Sequence, residues 1–416
     1  EQMTGVSVVN QLIFVFNLCI FGGVSGAGIF SAQFFGKGDH VGVRDAFRFK
    51  LITCLVLTAL GFFIFGFFGE DLISLYLHGK DGAGDKALTL EYGSKFLKVM
   101  MFEMLPFAIV QAYVSTLRDT GETVIAMKAG IIAVLINVSI NYLLIYGMFG
   151  LPELGVVGAA VGTIIARLVE LGIVVNWTHR HKDKNKFIVG VYKKFKIPMT
   201  LVKSIILTGT PLLVNEALWA GGMATLALCY SMKGMDVVSG LNISNTIANV
   251  FNIVFIALGT AIGIIVGQQL GAGKYKEASD SANKLIAFSV VVCFIIGLML
   301  ASIAGIFPNI YHTTDAVKHY ATQFIIVVAI YMPMYAYLHS MYFTIRSGGK
   351  TIITFLFDSV YLWLIAIPTA FLLVKFSSLP ILPIYIICQS MDFIKCIIGY
   401  CIYKKGIWIQ NIVSKQ

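Results

Sequence analysis

The chain reads as long apolar runs divided by short polar breaks. Eleven runs stand out, at residues 4–35, 43–69, 92–117, 123–147, 155–178, 201–232, 236–268, 279–307, 316–345, 352–374 and 382–403. At 1.5 Å of rise per residue, a helical run of about 20 residues crosses a hydrocarbon core of about 30 Å. Segments of about ten alternating residues, the mark of a membrane barrel, are not found. The pattern predicts an all-α polytopic membrane protein with eleven spanning helices and no separate soluble domain.

Composition agrees with that reading. Hydrophobic residues make up 58% of the 416 and charged residues 12%, against about 25% charged in soluble domains. The seven cysteines fall inside or at the ends of apolar runs without paired metal spacing, which marks them as structural filler. No cleavable signal peptide is recognisable.

The cationic residues sort by side. One set of connections carries 21 Lys and Arg, eight of them between Arg180 and Lys203, and the alternate set carries five: Lys80, Lys86, Lys233, Lys318 and Lys375. The positive-inside rule places the first set in the cytoplasm, with residue 1 outside and the C-terminus inside. Topology thus accounts for the net charge of +10, and no nucleic-acid role is needed.

An internal repeat underlies the pattern. Gly5, Asn10, Asn17, Gly28, Gln33, Gly36 and Gly38 recur 235 residues later as Gly240, Asn245, Asn252, Gly263, Gln268, Gly271 and Gly273. "TLRDTGET" at 116–123 recurs as "TIRSGGKT" at 344–351. Matching segments run in the same direction, so the repeat predicts two lobes related by a pseudo-two-fold axis along the membrane normal. The lobes are expected at 1–178 and 201–416, joined by a basic cytoplasmic linker at 179–200. Run 201–232 has no counterpart in the first half, which predicts a further helix upstream of residue 1 and two six-helix lobes. The Gly-x-Gly stretches at 36–38 and 271–273 lack the Gly-Lys-Ser/Thr of a phosphate loop and read as tight helix–helix turns.

The ordered set "QFFGKG", "LRDTGET", "GVVGAAVGT", "GTPLLVNEALWAGG", "QQLGAGK" and "RSGGKT" spans nearly the whole chain. Together these segments resemble the multidrug and toxic compound extrusion (MATE) transporters, and more the bacterial branches than the eukaryotic one. The resemblance implies a monomeric, multi-pass cell-membrane exporter of amphipathic, often cationic small molecules. Export would be coupled to inward H⁺ or Na⁺, with no other cofactor.

Candidate chemistry lies in polar residues within the apolar runs. Glu216 sits near the bilayer midplane, where a charged acid costs several kcal/mol unless it is wet, paired or protonated. It reads as a coupling acid, or as half of an Asn215–Glu216 pair binding neighbouring helices; the resemblance favours coupling. Asn242, Asn245, Asn249 and Asn252 form one helical stripe that faces a cavity or a neighbouring helix, and Asn10 and Asn17 repeat that face more sparsely. Asn10, Asn242, Asn245, Asn249, Met223 and Glu103 are the substrate-cavity candidates. Asn137 and Asn141 are one turn apart, and the resemblance makes them, with Thr163, a cation site in the first lobe. Asn141 stands where that pattern has Asp, so one formal charge is missing. Structural packing is the alternative for this trio.

Other charges read as structural: Arg167 with Glu170 and Asp392 with Lys395 as i,i+3 pairs, and Asp358 as polar bracing. His339 reads as hydrogen-bonded filler, and Met100, Met101, Met104, Met332, Met334 and Tyr335 as core. Two further functions compete. A lipid-linked oligosaccharide flippase of the wider superfamily calls for several Arg and Lys lining the cavity to hold a pyrophosphate. An intramembrane enzyme needs a convergent nucleophile–base or metal-ligand set, and no such spacing occurs.

Overall fold

The computed structural model describes residues 2–77, 86–150, 152–193 and 196–414. Glu1 and three of the cations counted above, Lys80, Lys194 and Lys415, lie outside the described residues. Within them, eleven helical segments are long and apolar enough to cross a membrane. In the first repeat these are α1 (Gln2–Lys37), α2 (His40–Leu77), α3 (Lys86–Asp119), α4 (Thr123–Tyr146) and α5 (Gly155–Arg180). Then follow α6 (Met199–Ser231), α7 (Met235–Gly271), α8 (Tyr275–Ile303) and α9 (Asp315–Ser347). The tenth crossing, Thr351–Phe376, combines α10 (Thr351–Phe355) and α11 (Ile367–Phe376), and the eleventh combines α12 (Ile381–Ser390) and α13 (Asp392–Lys404).

All eleven runs became helices, and three details differ from the expected pattern. The eighth helix stops at Ile303, and Pro308 opens a separate 3₁₀ turn at Phe307–Ile310. The tenth crossing is not uniformly α: Leu356–Val360 and Leu362–Ala366 are π-helical. Pro368, which lacks an N–H, stands just beyond the wide turns. The eleventh changes at Met391, whose carbonyl accepts from Tyr361 Oη at 2.6 Å and from the Ile394 N–H, three residues on, at 2.9 Å.

The chain forms two compact units. One comprises Glu1–Phe35 and Asp39–Leu213, the other Gly36–Gly38 and Val214–Gln416. The division therefore falls within α6, and the first turns of α6 pack in the first unit. A Cβ on Gly26 of α1 would lie 2.5 Å from Gly209 Cα of α6, an approach that only small residues permit.

Each unit is built around one enclosed helix. The best membrane windows of α3 and α9 are both 61% buried, well above those of most other spans, which makes them the central posts. In the first unit α2 and α5 pack on α3; in the second α7 and α8 pack on α9. The repeat is visible in these contacts. A Cβ on Gly5 would lie 2.8 Å from the Thr89 carbonyl of α3, and one on Gly240 would lie 2.8 Å from Tyr320 Cβ of α9. Gly38 and Gly273 occupy matching turns at φ 79° and 75°, a left-handed conformation that favours glycine.

The basic stretch after α5 is docked. Phe187, Ile188 and Val191 are buried, and Arg44 Nε donates to the Phe187 carbonyl at 3.2 Å. Arg48 donates to the Val191 and Gly190 carbonyls at 2.8 and 3.0 Å. All seven cysteines are free thiols.

Candidate functional site

In the first unit, α4 and α5 bring the predicted amide trio together. Asn137 Nδ2 donates to Thr163 Oγ1 at 3.1 Å, and Asn141 Nδ2 donates to Asn137 Oδ1 at 3.2 Å. Thr163 passes its own hydroxyl proton back to the Ala159 carbonyl at 3.0 Å. Asn141 Oδ1 is buried and accepts no hydrogen bond. It lies against Gly162, where any side chain would collide with it. The arrangement is a small oxygen-rich cleft with one free acceptor. It has the ligand type for a hard monovalent cation but carries no formal charge of its own.

Glu103, expected to line the cavity, is buried in an ion pair. It is 2% exposed, and its Oε1 accepts from Arg167 Nε at 2.9 Å. Arg167 also grips Glu170 at 2.7 Å, as the i,i+3 spacing predicts, and its guanidinium lies 5.1 Å from the centre of the Phe107 ring. One cation thus serves two carboxylates, and Glu103 Oε2 is left without a hydrogen bond. Buried ion pairs of this kind gain little net stability, yet removing one partner costs roughly 3–5 kcal/mol because a charge is stranded. Sequence reasoning missed a second buried pair in this unit, Lys50 Nζ to Asp119 Oδ2 at 2.6 Å, with Thr116 also accepting from Lys50. Only the placement of Lys50 within an otherwise apolar helix could have pointed to it.

In the second unit, α6 is stitched to the π-helical turns. Asn215 is 3% exposed. Its Nδ2 donates to Asp358 Oδ2 at 3.1 Å, while Ser359 Oγ lies 2.6 Å from Asn215 Oδ1 and 3.0 Å from the Asn215 carbonyl. One turn on, Trp363 Nε1 donates to the Leu218 carbonyl at 2.9 Å. Asp358 also receives Lys395 of α13 at 3.1 Å. This corrects the expected Asp392–Lys395 pairing: the lysine reaches across to the π-helical turn Leu356–Val360 rather than along its own helix. The bracing expected of Asp358 is present, supplied by Asn215 and Lys395. His339 bonds the Tyr335 carbonyl at 3.0 Å and packs on Phe255, as hydrogen-bonded filler does.

Glu216 stands apart from this network. It is partly exposed, with no side-chain hydrogen bond or ion pair among the described residues. It lies about 25 Å along a helix of about 50 Å, hence near the middle of the membrane. Successive residues are about 100° apart around a helix, so locking Asn215 against the π-helical turn Leu356–Val360 turns Glu216 to a different face. Asn215 is the helix-to-helix contact, and Glu216 is not its partner in it.

The asparagine stripe of α7 is not buried against α8 or α9. Asn242, Asn245 and Asn249 are exposed, whereas Leu241, Ile243, Ser244 and Ala248 form the packed face. Asn10 is likewise exposed, and Met223 is 45% exposed. Asn17 and Asn252, repeat counterparts, share a feature: both are half-buried and both leave Oδ1 without a partner. Met100, Met104, Met332 and Met334 are buried core.

Comparison with known proteins accords with this arrangement. The probable multidrug resistance protein NorM of Thermotoga maritima is 22% identical over 99% of this chain and 87% of its own length. The probable multidrug resistance protein YoeA of Bacillus subtilis is 20% identical over 100% of this chain and 88% of its own. A crystal structure of MATE in the bent conformation superposes with a TM-score of 0.82 at 16% identity, covering 98% of this chain and 88% of that one. The MatE family model matches residues 1–143 and 211–372. Eleven spanning helices, the motif-bearing turns and that match lead to one conclusion: the chain is a polytopic membrane protein belonging to the MatE family of transporters.

Proposed function

We propose that this protein exports amphipathic, cationic small molecules across the cell membrane by alternating access of its two repeats, in exchange for inward H⁺ or Na⁺. The relatives named as multidrug resistance proteins support drug efflux as the activity. The observation that carries the coupling is Glu216, a carboxylate near mid-membrane with no side-chain hydrogen bond or ion pair among the described residues. Such a group is stable only when water, a proton or a cation reaches it. Binding H⁺ or Na⁺ cancels its charge and lowers the cost of a closed, drier state. A cationic substrate competing for the same carboxylate makes the exchange obligatory.

Asn137, Asn141 and Thr163 act as the coupling-ion site of the first lobe, residues 1–178. Asn10, Asn242, Asn245, Asn249 and Met223 line the substrate path, and Glu103 contributes by holding Arg167. The second lobe is 201–416, the protein works as a monomer, and its C-terminus is cytoplasmic. Flipping of a pyrophosphate-linked lipid is disfavoured because Lys50, Arg167 and Lys395 are each neutralised by carboxylates.

The test is dye efflux from proteoliposomes with Na⁺ and pH gradients imposed separately. Glu216→Gln keeps the shape of the protonated acid, so it should insert normally and lose gradient-driven efflux. A wild-type rate with unchanged ion dependence would reduce Glu216 to a packing residue.

A further inference from the structure

Lys395 lies in surroundings that suit a ligand better than a lysine. Its ammonium is 5.5 Å from the centre of the Phe357 ring and 5.6 Å from that of Tyr361, and it bonds the Asp358 carboxylate at 3.1 Å. Two aromatic faces and one carboxylate are the groups that recognise an organic ammonium or phosphonium ion. They are held firmly. Phe357 and Tyr361 are each 6% exposed, Tyr361 Oη is tied to the Met391 carbonyl, and Asp358 is oriented by Asn215. The π-helical turns set the three side chains around one point, and π-turns recur at functional sites. The Asp358 side chain is 24% exposed, so the site is not sealed.

We propose that Phe357, Asp358 and Tyr361 form a subsite for a monovalent organic cation and that Lys395 is its built-in occupant. Asp392 supplies the alternative seat. It lies one turn before Lys395 on α13, at the i,i+3 spacing that favours an ion pair, and no hydrogen bond or ion pair engages it among the described residues. When substrate arrives, Lys395 passes from Asp358 to Asp392, and the incoming cation takes the aromatic faces and the Asp358 carboxylate. With the organic cation bound, both carboxylates are paired; before it arrives only Asp358 is. A cation loads this site by displacing a cation, and a neutral molecule of the same shape gains nothing there.

This inference rests on the proposed export of organic cations, and the experiment separates the two. Tetraphenylphosphonium binding is measured on purified full-length protein in nanodiscs, with neutral triphenylphosphine oxide as control. Lys395 reduces the apparent affinity by occupying the site, so Lys395→Met should tighten the phosphonium Kd about tenfold. Asp358→Asn should weaken it about tenfold or more. Asp392→Asn should weaken it as well, because Lys395 then has nowhere else to go. Binding of the neutral control should not respond to any of the three.

Wild-type affinity in both Lys395→Met and Asp392→Asn overturns the proposal. Should Lys395→Met fail to fold, Asp392→Asn decides alone, since it leaves the Asp358–Lys395 pair intact; an unchanged Kd there is fatal. Wild-type protein that binds no phosphonium at all defeats the export reading and the subsite together. Wild-type binding with indifferent variants defeats the subsite only.

Discussion

Asn141 is the residue at which the proposed coupling role can be tested by changing one atom. Its Oδ1 is buried beside Gly162 without a donor, and its Nδ2 is held by Asn137. Asn141→Asp would give this cleft the formal charge it lacks, with little change in volume. A carboxylate among the Asn137 and Thr163 oxygens attracts Na⁺ far more strongly than an amide does. The half-saturating Na⁺ concentration for dye efflux should fall roughly tenfold or more, given 1.4 kcal/mol per decade. A Na⁺ titration of efflux in proteoliposomes checks this, and an unchanged titration means the trio only packs α4 on α5. The trio was legible in the sequence because Asn137 and Asn141 share a helix face, a local relation, and because the motif points to Thr163. Lys395 was not legible. The i,i+3 rule points to Asp392, and nothing local shows that Asp358, 37 residues earlier in the chain, is the partner. The ion pair of Glu103 was hidden for the same reason: its mate Arg167 is 64 residues away.

At the scale of elements, the contact between helices depends on where small residues fall. The Cβ of any substituent at Gly240 meets Tyr320 Cβ at 2.8 Å and the Ala321 backbone N at 3.2 Å. Backbone cannot yield as a flexible side chain can, so α7 and α9 must separate. Gly240→Val should destabilise the second unit by about 1–3 kcal/mol, the usual cost of overpacking. Gly130→Ala, where nothing lies within 4 Å, should be neutral or slightly stabilising. Thermal unfolding in detergent micelles separates the two, and equal shifts would refute the packing argument. A second case is Ser359. Its hydroxyl lies within hydrogen-bond reach of both the side-chain and main-chain oxygens of Asn215. Polar contacts between membrane helices average about 0.6 kcal/mol, so Ser359→Ala should lower stability by about that much while loosening Asn215 and Asp358. Its effect should therefore be larger on phosphonium binding than on unfolding. The helices themselves were readable because length and apolarity are local properties. The π-turns and the change at Met391 were not, because they accompany contacts such as Tyr361 to Met391 that form only on folding.

At the scale of the whole molecule, duplication explains the scaffold and divergence explains the chemistry. Gly5 and Gly240, Gly38 and Gly273, and Asn17 and Asn252 keep the same local roles in the two repeats. The ionic groups do not. At the offset of 228 that relates the later parts of the repeats, Glu103 corresponds to Tyr331, which bonds Ser390 at 2.5 Å instead of an arginine. The first repeat thus gathers Glu103 and Glu170 around Arg167, whereas the second engages Asp358 with Lys395 and leaves Glu216 with no side-chain hydrogen bond or ion pair among the described residues. The proposed topology puts the motif-bearing turns of both repeats on one side of the membrane, and by the 21-to-5 partition of Lys and Arg that side would be the cytoplasm. Green fluorescent protein folds only in the cytoplasm and alkaline phosphatase is active only outside it. A fluorescent protein fused to the C-terminus should therefore be bright and a phosphatase fused there inactive. Fusions truncated in the α8–α9 connection, after Thr313, should give the reverse. If both positions report the same side, an even number of crossings separates them. The single-span reading of α9, the interrupted crossing through α10 and α11, or that through α12 and α13 would then have to be abandoned.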